Sequence, residues 1–87
     1  MIKIKIKYFG IFSEYLKEIS YLNLKDKSRL SDLRIYLIML LEKQNIDKNI
    51  LLLLNSAVFS NEDKILLDDY LLIDGDIIYL LPPVSGG

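Results

Sequence analysis

Residues 2–9 read IKIKIKYF. Ile2, Ile4, Ile6 and Tyr8 fall on one side of an extended chain, and Lys3, Lys5 and Lys7 on the other. Strict period two predicts a half-buried strand, because successive side chains of a strand point to opposite faces. Gly10 interrupts the alternation. Phe12, Tyr15, Leu16 and Ile19 then recur at helical spacing, which predicts a short helix over about 12–18. ISYLNLK (19–25) alternates again and is expected to return beside the first strand as its hairpin-like partner. Residues 26–30 read as a polar turn.

Ser31 is the predicted N-cap of the main helix, with Asp32 in the first turn, where a negative charge suits the helix dipole. The helical pattern runs to about Lys43 or Gln44. Leu33, Tyr36, Leu37, Leu40 and Leu41 form one broad stripe, the expected core face. Ile35, Ile38 and Met39 lie off it and are either covered by the rest of the fold or form a contact surface. ILLLL (50–54) reads as a buried strand, Asn55-Ser56-Ala57 as a turn, and Val58-Phe59 as the start of a short return strand. Residues 60–76 read as an acidic loop anchored by Leu66, Leu67, Leu71, Leu72 and Ile73, and closed by the turn Asp74-Gly75-Asp76. IIYLL (77–81) is a last strand, apolar on both faces, ended by Pro82 and Pro83, which cannot donate to a ladder.

Strand, strand, long helix and short strands predict an α+β domain, a mixed sheet packed on one main helix. That is the order of the β-grasp, or ubiquitin-like, fold. The expected organisation is one domain over 1–81 and a flexible C-terminal tail over 82–87.

A chain of 87 residues supports one core. Its apolar content of 52% is high for so small a volume, so it implies either a dense core or an apolar patch left for a partner. The net charge of −1 leaves the whole domain without a nucleic-acid footprint. The charge is uneven, however. Residues 50–87 hold one base, Lys64, against six acids and sum to −5, while residues 1–49 sum to +4. An acidic half is either a solvated loop or a surface that steers toward a basic partner.

The sequence has no Cys and no His. Disulfides, thiolate nucleophiles and imidazole bases are therefore excluded, and a transition-metal site is not expected. The N-terminus lacks the pattern of a signal peptide, and no apolar run is long enough to span a membrane. A soluble, cytoplasmic protein is expected, with no membrane or nucleic-acid partner.

The last six residues, PPVSGG (82–87), carry the functional reading. Pro82-Pro83 fixes φ twice and gives a stiff, extended exit. Gly86-Gly87 has no Cβ atoms, so the backbone there is at its thinnest. Six extended residues reach roughly 20 Å, enough to enter another protein's active site. Terminal glycines also end plain unstructured tails. It is their place after a strand and a Pro-Pro exit that points to a working carboxylate at Gly87. A carboxylate repels nucleophiles, but joined to AMP it becomes an anhydride that sulfur or an amine can attack. The activating groups would have to come from another protein.

These stretches together resemble the MoaD family, the small subunits of molybdopterin synthase, within the wider MoaD/ThiS group of ubiquitin-like sulfur carriers. The likeness runs along the whole chain. IKIKIKYFGIFSEYL looks like the family's opening strand, aromatic pair and short helix, SRLSDLRIYL like its helix entry, and LLLNSAVF like its central strand and turn. LLIDGDIIYLLPPVSGG is similar to its closing signature, and residues 74–87 are the specific part.

The resemblance implies a sulfur carrier of molybdenum cofactor biosynthesis. A ubiquitin-activating-enzyme-like adenylyltransferase would use ATP to adenylate Gly87, and a sulfur donor would convert it to a thiocarboxylate. Inside the large synthase subunit, in a heterotetramer, that sulfur would pass to a cyclic pyranopterin precursor to make molybdopterin. The chain would bind no cofactor or metal itself and would be the non-catalytic, sulfur-donating subunit of a sulfurtransferase complex. Gly86 and Gly87 would be its reacting end, and Leu80, Leu81, Pro82, Pro83, Val84 and Ser85 its partner-binding residues. The sequence departs from the family at Ser85, where alanine is usual, at Leu80-Leu81, where aromatics are common, and in its acidic 60–69 stretch.

Three other readings fit the same tail. One is a sulfur carrier for thiamine or tRNA thiolation, although Pro82-Pro83 is unlike the thiamine carriers. Another is a ubiquitin-like protein modifier joined to lysines through Gly87. The last is an inert interaction module. The carrier readings share one requirement, a tail slender enough to thread. Gly86→Val is therefore expected to abolish sulfur transfer while leaving the melting temperature unchanged, as thermal unfolding beside a transfer assay would show.

Overall fold

The computed structural model describes residues 1–17 and 19–83. The elements run β1 (Ile2–Tyr8), α1 (Phe12–Leu16), β2 (Tyr21–Leu24), α2 (Leu30–Lys43), α3 (Lys48–Asn55), β3 (Val58–Ser60), β4 (Ile65–Leu66) and β5 (Ile77–Leu81). Among the described residues five strands form one sheet, in the order β2-β1-β5-β3-β4. β1 and β5 pair in parallel at its centre, and the other pairs are antiparallel. The α+β expectation is met: a mixed sheet lies over one main helix.

The period-two reading of β1 holds in detail. Ile2, Ile4 and Ile6 are buried, and so are Leu22 and Leu24 of β2 and Ile78 and Leu80 of β5. These side chains share a core with Leu30, Leu33, Leu37 and Leu41 of α2, each fully buried. Burial of each leucine contributes about 2 kcal/mol. The stripe is narrower than the sequence suggests, because Tyr36 is exposed and Leu40 half-buried. Ile35 and Met39 are exposed and Ile38 is half-buried.

The corner Asp74-Gly75-Asp76 does more than reverse the chain. The Lys3 N–H donates to Asp74 Oδ1 at 2.7 Å. Gly75 N–H donates to the Lys3 carbonyl at 2.8 Å, and Lys5 N–H to the Asp76 carbonyl at 2.9 Å. Gly75 has φ +90, which glycine accepts without strain. The corner therefore sets the register in which β5 starts along β1. Asp76 Oδ2 also accepts from the Ile73 N–H at 2.9 Å and the Tyr70 hydroxyl at 3.0 Å. Burial, then the Asp76 hydrogen bond and charge, hold the Tyr70 phenol above its usual range, which keeps it a donor.

Other expectations fail. Residues 60–76 are not all loop, because Ile65–Leu66 pairs with β3 as β4, and of the expected anchors only Leu66 and Leu72 are buried, while Leu67, Leu71 and Ile73 are exposed. Ser31 is not the N-cap of α2. The helix starts after Arg29, whose backbone N–H donates to Asp32 Oδ2 at 2.8 Å. Its other free donors find partners in the acidic loop: Leu30 N–H reaches the Tyr70 carbonyl at 3.1 Å and Ser31 N–H the Asp68 carbonyl at 3.0 Å. A tertiary contact thus supplies what a serine cap would have supplied.

Residues 50–54 are not a strand but part of α3. A short apolar run fits either element on pattern alone. Here Asp47 Oδ1 caps the helix by accepting from Asn49 N–H at 2.8 Å. Ile50 and Leu54, one turn apart, are buried, while Leu52 is exposed. The far end is closed by Arg34 of α2. Its Nη1 donates to the carbonyls of Leu54 at 2.9 Å and Ala57 at 2.8 Å, and its Nη2 to Asp68 Oδ1 at 2.8 Å. The guanidinium carbon also lies 4.7 Å from the centre of the Phe59 ring.

Arg34 thus ties α2, the end of α3 and the acidic loop together. Arg34→Ala is expected to cost about 3 kcal/mol in denaturant unfolding, because it strips the helix-end carbonyls of a charged donor. Asp68→Asn is expected to cost less than about 1 kcal/mol, because that carboxylate is half in water.

Candidate functional site

The site follows from where β5 stops. Its last residue, Leu81, pairs with Val58, and Tyr79 pairs with Ser60 on one side and Lys7 on the other. Pro82 has no N–H, so the ladder cannot continue through it. The chain leaves the sheet there, with Leu81, Pro82 and Pro83 all half-buried. The expected site residues Val84, Ser85, Gly86 and Gly87 lie outside the described residues.

The six partner-binding expectations therefore divide. Leu81, Pro82 and Pro83 are half-buried where β5 ends. Leu80 is not: its side chain is fully buried in the core beneath the sheet. Alternation within β5 puts Leu80 and Leu81 on opposite faces, so only Leu81 is available to a partner.

Around the exit lies the face of the sheet that α2 leaves open. An open groove of ≈ 440 Å³ runs beside Leu81 and Pro82, with Val58 and Ile65 contributing apolar walls. Glu62, Asp63 and Lys64 also line it. On the other flank Phe9 meets Tyr79 edge-on, ring centroids 5.7 Å apart. Lys7 Nζ lies 5.8 Å from the Tyr79 ring centre, and Lys3 and Lys5 stand over Tyr21. Phe9, Tyr21, Ile65 and Ile77 are all substantially exposed. The apolar surplus read from composition is therefore partly core and partly an open sheet face, with Phe9 and Ile65 toward the exit and Tyr21 and Ile77 toward the start of β5.

Two features of the site were not legible beforehand. Gly10 has φ +61, and a Cβ built on it would come within 2.6 Å of Pro82 Cγ. A glycine directly after a strand signals a turn, but nothing in the sequence says that its neighbour is Pro82. Tyr8 is the second. Its hydroxyl donates to the Ile19 carbonyl at 2.5 Å and so ties β1 to the segment that leads into β2. Burial pushes this phenol well above the usual tyrosine range.

Among the described residues no group of His, Cys, Asp and Glu side chains is gathered to hold a metal ion. No helix among them is long and apolar enough to cross a membrane. The opposite placement of two neighbouring leucines can be measured. Leu80→Ala is expected to cost about 3 kcal/mol, as core truncations do. Leu81→Ala is expected to cost clearly less than Leu80→Ala, because Leu81 lies on the open face and keeps part of its surface in water. Urea unfolding of both variants makes the comparison.

No family model matches the sequence, and no curated protein does. Among solved structures, the chain is similar to one described as "Putative molybdopterin converting factor, subunit 1" from Pyrococcus furiosus. The TM-score is 0.71 at 24% identity, and the match covers 97% of this chain and 100% of the other. At that identity the likeness speaks for the fold. With its mixed five-stranded sheet wrapped over one main helix, this chain is a β-grasp domain of the ubiquitin-like kind.

Proposed function

We propose that this protein is a sulfur carrier of molybdopterin synthesis and works through the carboxylate of Gly87. The observation that carries the proposal is the exit of β5. A central strand of a well-packed sheet ends at an open surface in Pro82-Pro83, and the sequence that follows is Val84-Ser85-Gly86-Gly87. A small, firm body presenting a slender terminal carboxylate suits delivery of a group into another protein's active site. The similar solved chain, described as a molybdopterin converting factor subunit, supports the choice of client. So does the resemblance of residues 74–87 to the closing signature of the MoaD family.

The domain, residues 1–81, acts as the handle and residues 82–87 as the working tail. In the activating adenylyltransferase, a Gly87 carboxylate oxygen attacks the α-phosphate of ATP and pyrophosphate leaves. A sulfur nucleophile then attacks the acyl carbon and AMP leaves, which gives the thiocarboxylate. The chain has no Cys or His to catalyse either step, so both catalysts come from its partners. In the large subunit of molybdopterin synthase the ionised sulfur displaces an oxygen substituent of the pyranopterin precursor, and water then cleaves the acyl–sulfur bond, which leaves the sulfur on the precursor and Gly87 as a carboxylate again. Partners grip the open sheet face: Phe9, Tyr79 and Leu81 supply apolar contact, and the acidic groove rim favours a basic counterpart.

The test is the intact mass of the protein, co-expressed with an activating enzyme and a sulfur donor. The expected product is heavier by the exchange of one oxygen for one sulfur, localised to Gly87. Localisation matters, because oxidation of Met1 or Met39 gives nearly the same shift. Unmodified protein under those conditions overturns the carrier reading. Higher-mass conjugates that vanish on deleting Gly86-Gly87 mark a protein modifier instead. A variant with one extra residue after Gly87 is expected to fold normally and carry no sulfur.

A further inference from the structure

The helix layer has a second apolar surface, on the side turned away from the sheet. On α2 the core face is Leu30, Leu33, Leu37 and Leu41. Off that face stand Ile35 and Met39, 57% and 52% exposed, with Ile38 half-buried beside them. α3 repeats the pattern. Its Ile50 and Leu54 are buried, while Leu52 is 67% exposed and Leu51 half-buried. Exposed leucines scattered singly are ordinary, but apolar side chains gathered on one face mark a contact surface. Here they are gathered: an open groove of ≈ 420 Å³ runs between the two helices, with Ile38, Leu51 and Leu52 as its apolar walls.

α3 runs back along α2. Arg34, one turn into α2, reaches the carbonyls of Leu54 and Ala57 at the end of α3. Glu42, in the last turn of α2, lines the groove together with Lys48 at the start of α3. The groove therefore carries one acid and one base at the same end, on opposite helices. Both side chains are exposed, and among the described residues neither is in an ion pair.

We infer that this face binds a second copy of the same chain, with α2 of each copy lying on α3 of the other. A two-fold axis along the groove is the operation that does this. It sets Glu42 of one copy against Lys48 of the other, twice over, and closes Ile38 and Met39 over Leu51 and Leu52. A strongly acidic or strongly basic partner would leave one of the two charges facing its like, whereas a second copy matches both. Two helices about 10 Å wide, the longer about 21 Å in length, present roughly 400 Å² per copy, half of the ~800 Å² of a standard interface. The dimer is accordingly weak and reversible. It leaves the open sheet face and the exit of β5 free, so the inference does not rest on the carrier reading.

The test is sedimentation equilibrium of the full chain over a concentration series. The average mass is expected to climb from one chain toward two. Leu52→Asp is expected to stay at one chain throughout with its melting temperature little changed, because Leu52 is already mostly in water in the single chain. Glu42→Lys and Lys48→Glu are each expected to weaken association about tenfold, since each sets like charges together at both contacts. Each reversal also suits the dipole of its own helix, so folding is preserved. Mixed in equal amounts, the two variants are expected to regain the lost association, because each then meets opposite charge at both contacts.

A chain that stays single at every concentration overturns the inference. So does a dimer that Leu52→Asp leaves intact, because it forms elsewhere on the molecule. A mixture no more associated than its two components overturns the pairing of α2 with α3.

Discussion

The parallel pairing of β1 with β5 is the constraint on which the rest of the molecule depends. Parallel neighbours cannot be joined by a tight turn, so everything between Tyr8 and Ile77 has to serve as the crossover. That long connection carries the helices across one face of the sheet and leaves the other face open. It also brings the first strand of the domain against the last, and both strands run out at the same end of the sheet. The corner at Asp74-Gly75-Asp76 holds this pairing in register by bonding to the Lys3 and Lys5 backbone. The same pairing brings Phe9 and Gly10 beside the exit of the tail.

The covered face is held by two kinds of interaction. Ordinary alternation and helical periodicity supply the apolar core of β1, β2, β5 and α2. The helix ends are then satisfied by groups distant in sequence. Loop carbonyls of Asp68 and Tyr70 accept from the first turn of α2, and Arg34 closes the last turn of α3. Backbone groups at helix ends must find partners somewhere, and here they find them in the acidic loop and in a neighbouring helix. The loop that reads as a solvated acidic stretch is thereby also a structural brace.

The open face is where the apolar surplus of the sequence shows. Phe9, Tyr79, Leu81, Val58 and Ile65 gather beside the exit of β5, with lysines over tyrosine rings on one flank and acidic side chains on the other. A β-grasp domain with this arrangement can be held by its face while its terminus is worked on elsewhere.

Much of this was legible from local pattern, for a physical reason. Period two in residues 2–8 and helical spacing in residues 33–41 each report which side of one element avoids water, and that is a property of the element alone. The turn at Gly75, the stop at Pro82 and the chemistry available to a Gly-Gly carboxylate are equally local, being set by the residue types themselves. What only the tertiary structure decided is what depends on contacts between distant residues. Residues 50–54 became a helix because Asp47 and Arg34 close its two ends, although their composition suits a strand equally well. Ser31 lost the cap position because the loop at Asp68 and Tyr70 took up the donors of α2. Leu80 and Leu81 read alike in sequence, yet strand alternation against α2 sends one into the core and leaves the other at the surface. Gly10 lies against Pro82 because parallel pairing brings the ends of β1 and β5 together, and no local property of either residue encodes that meeting.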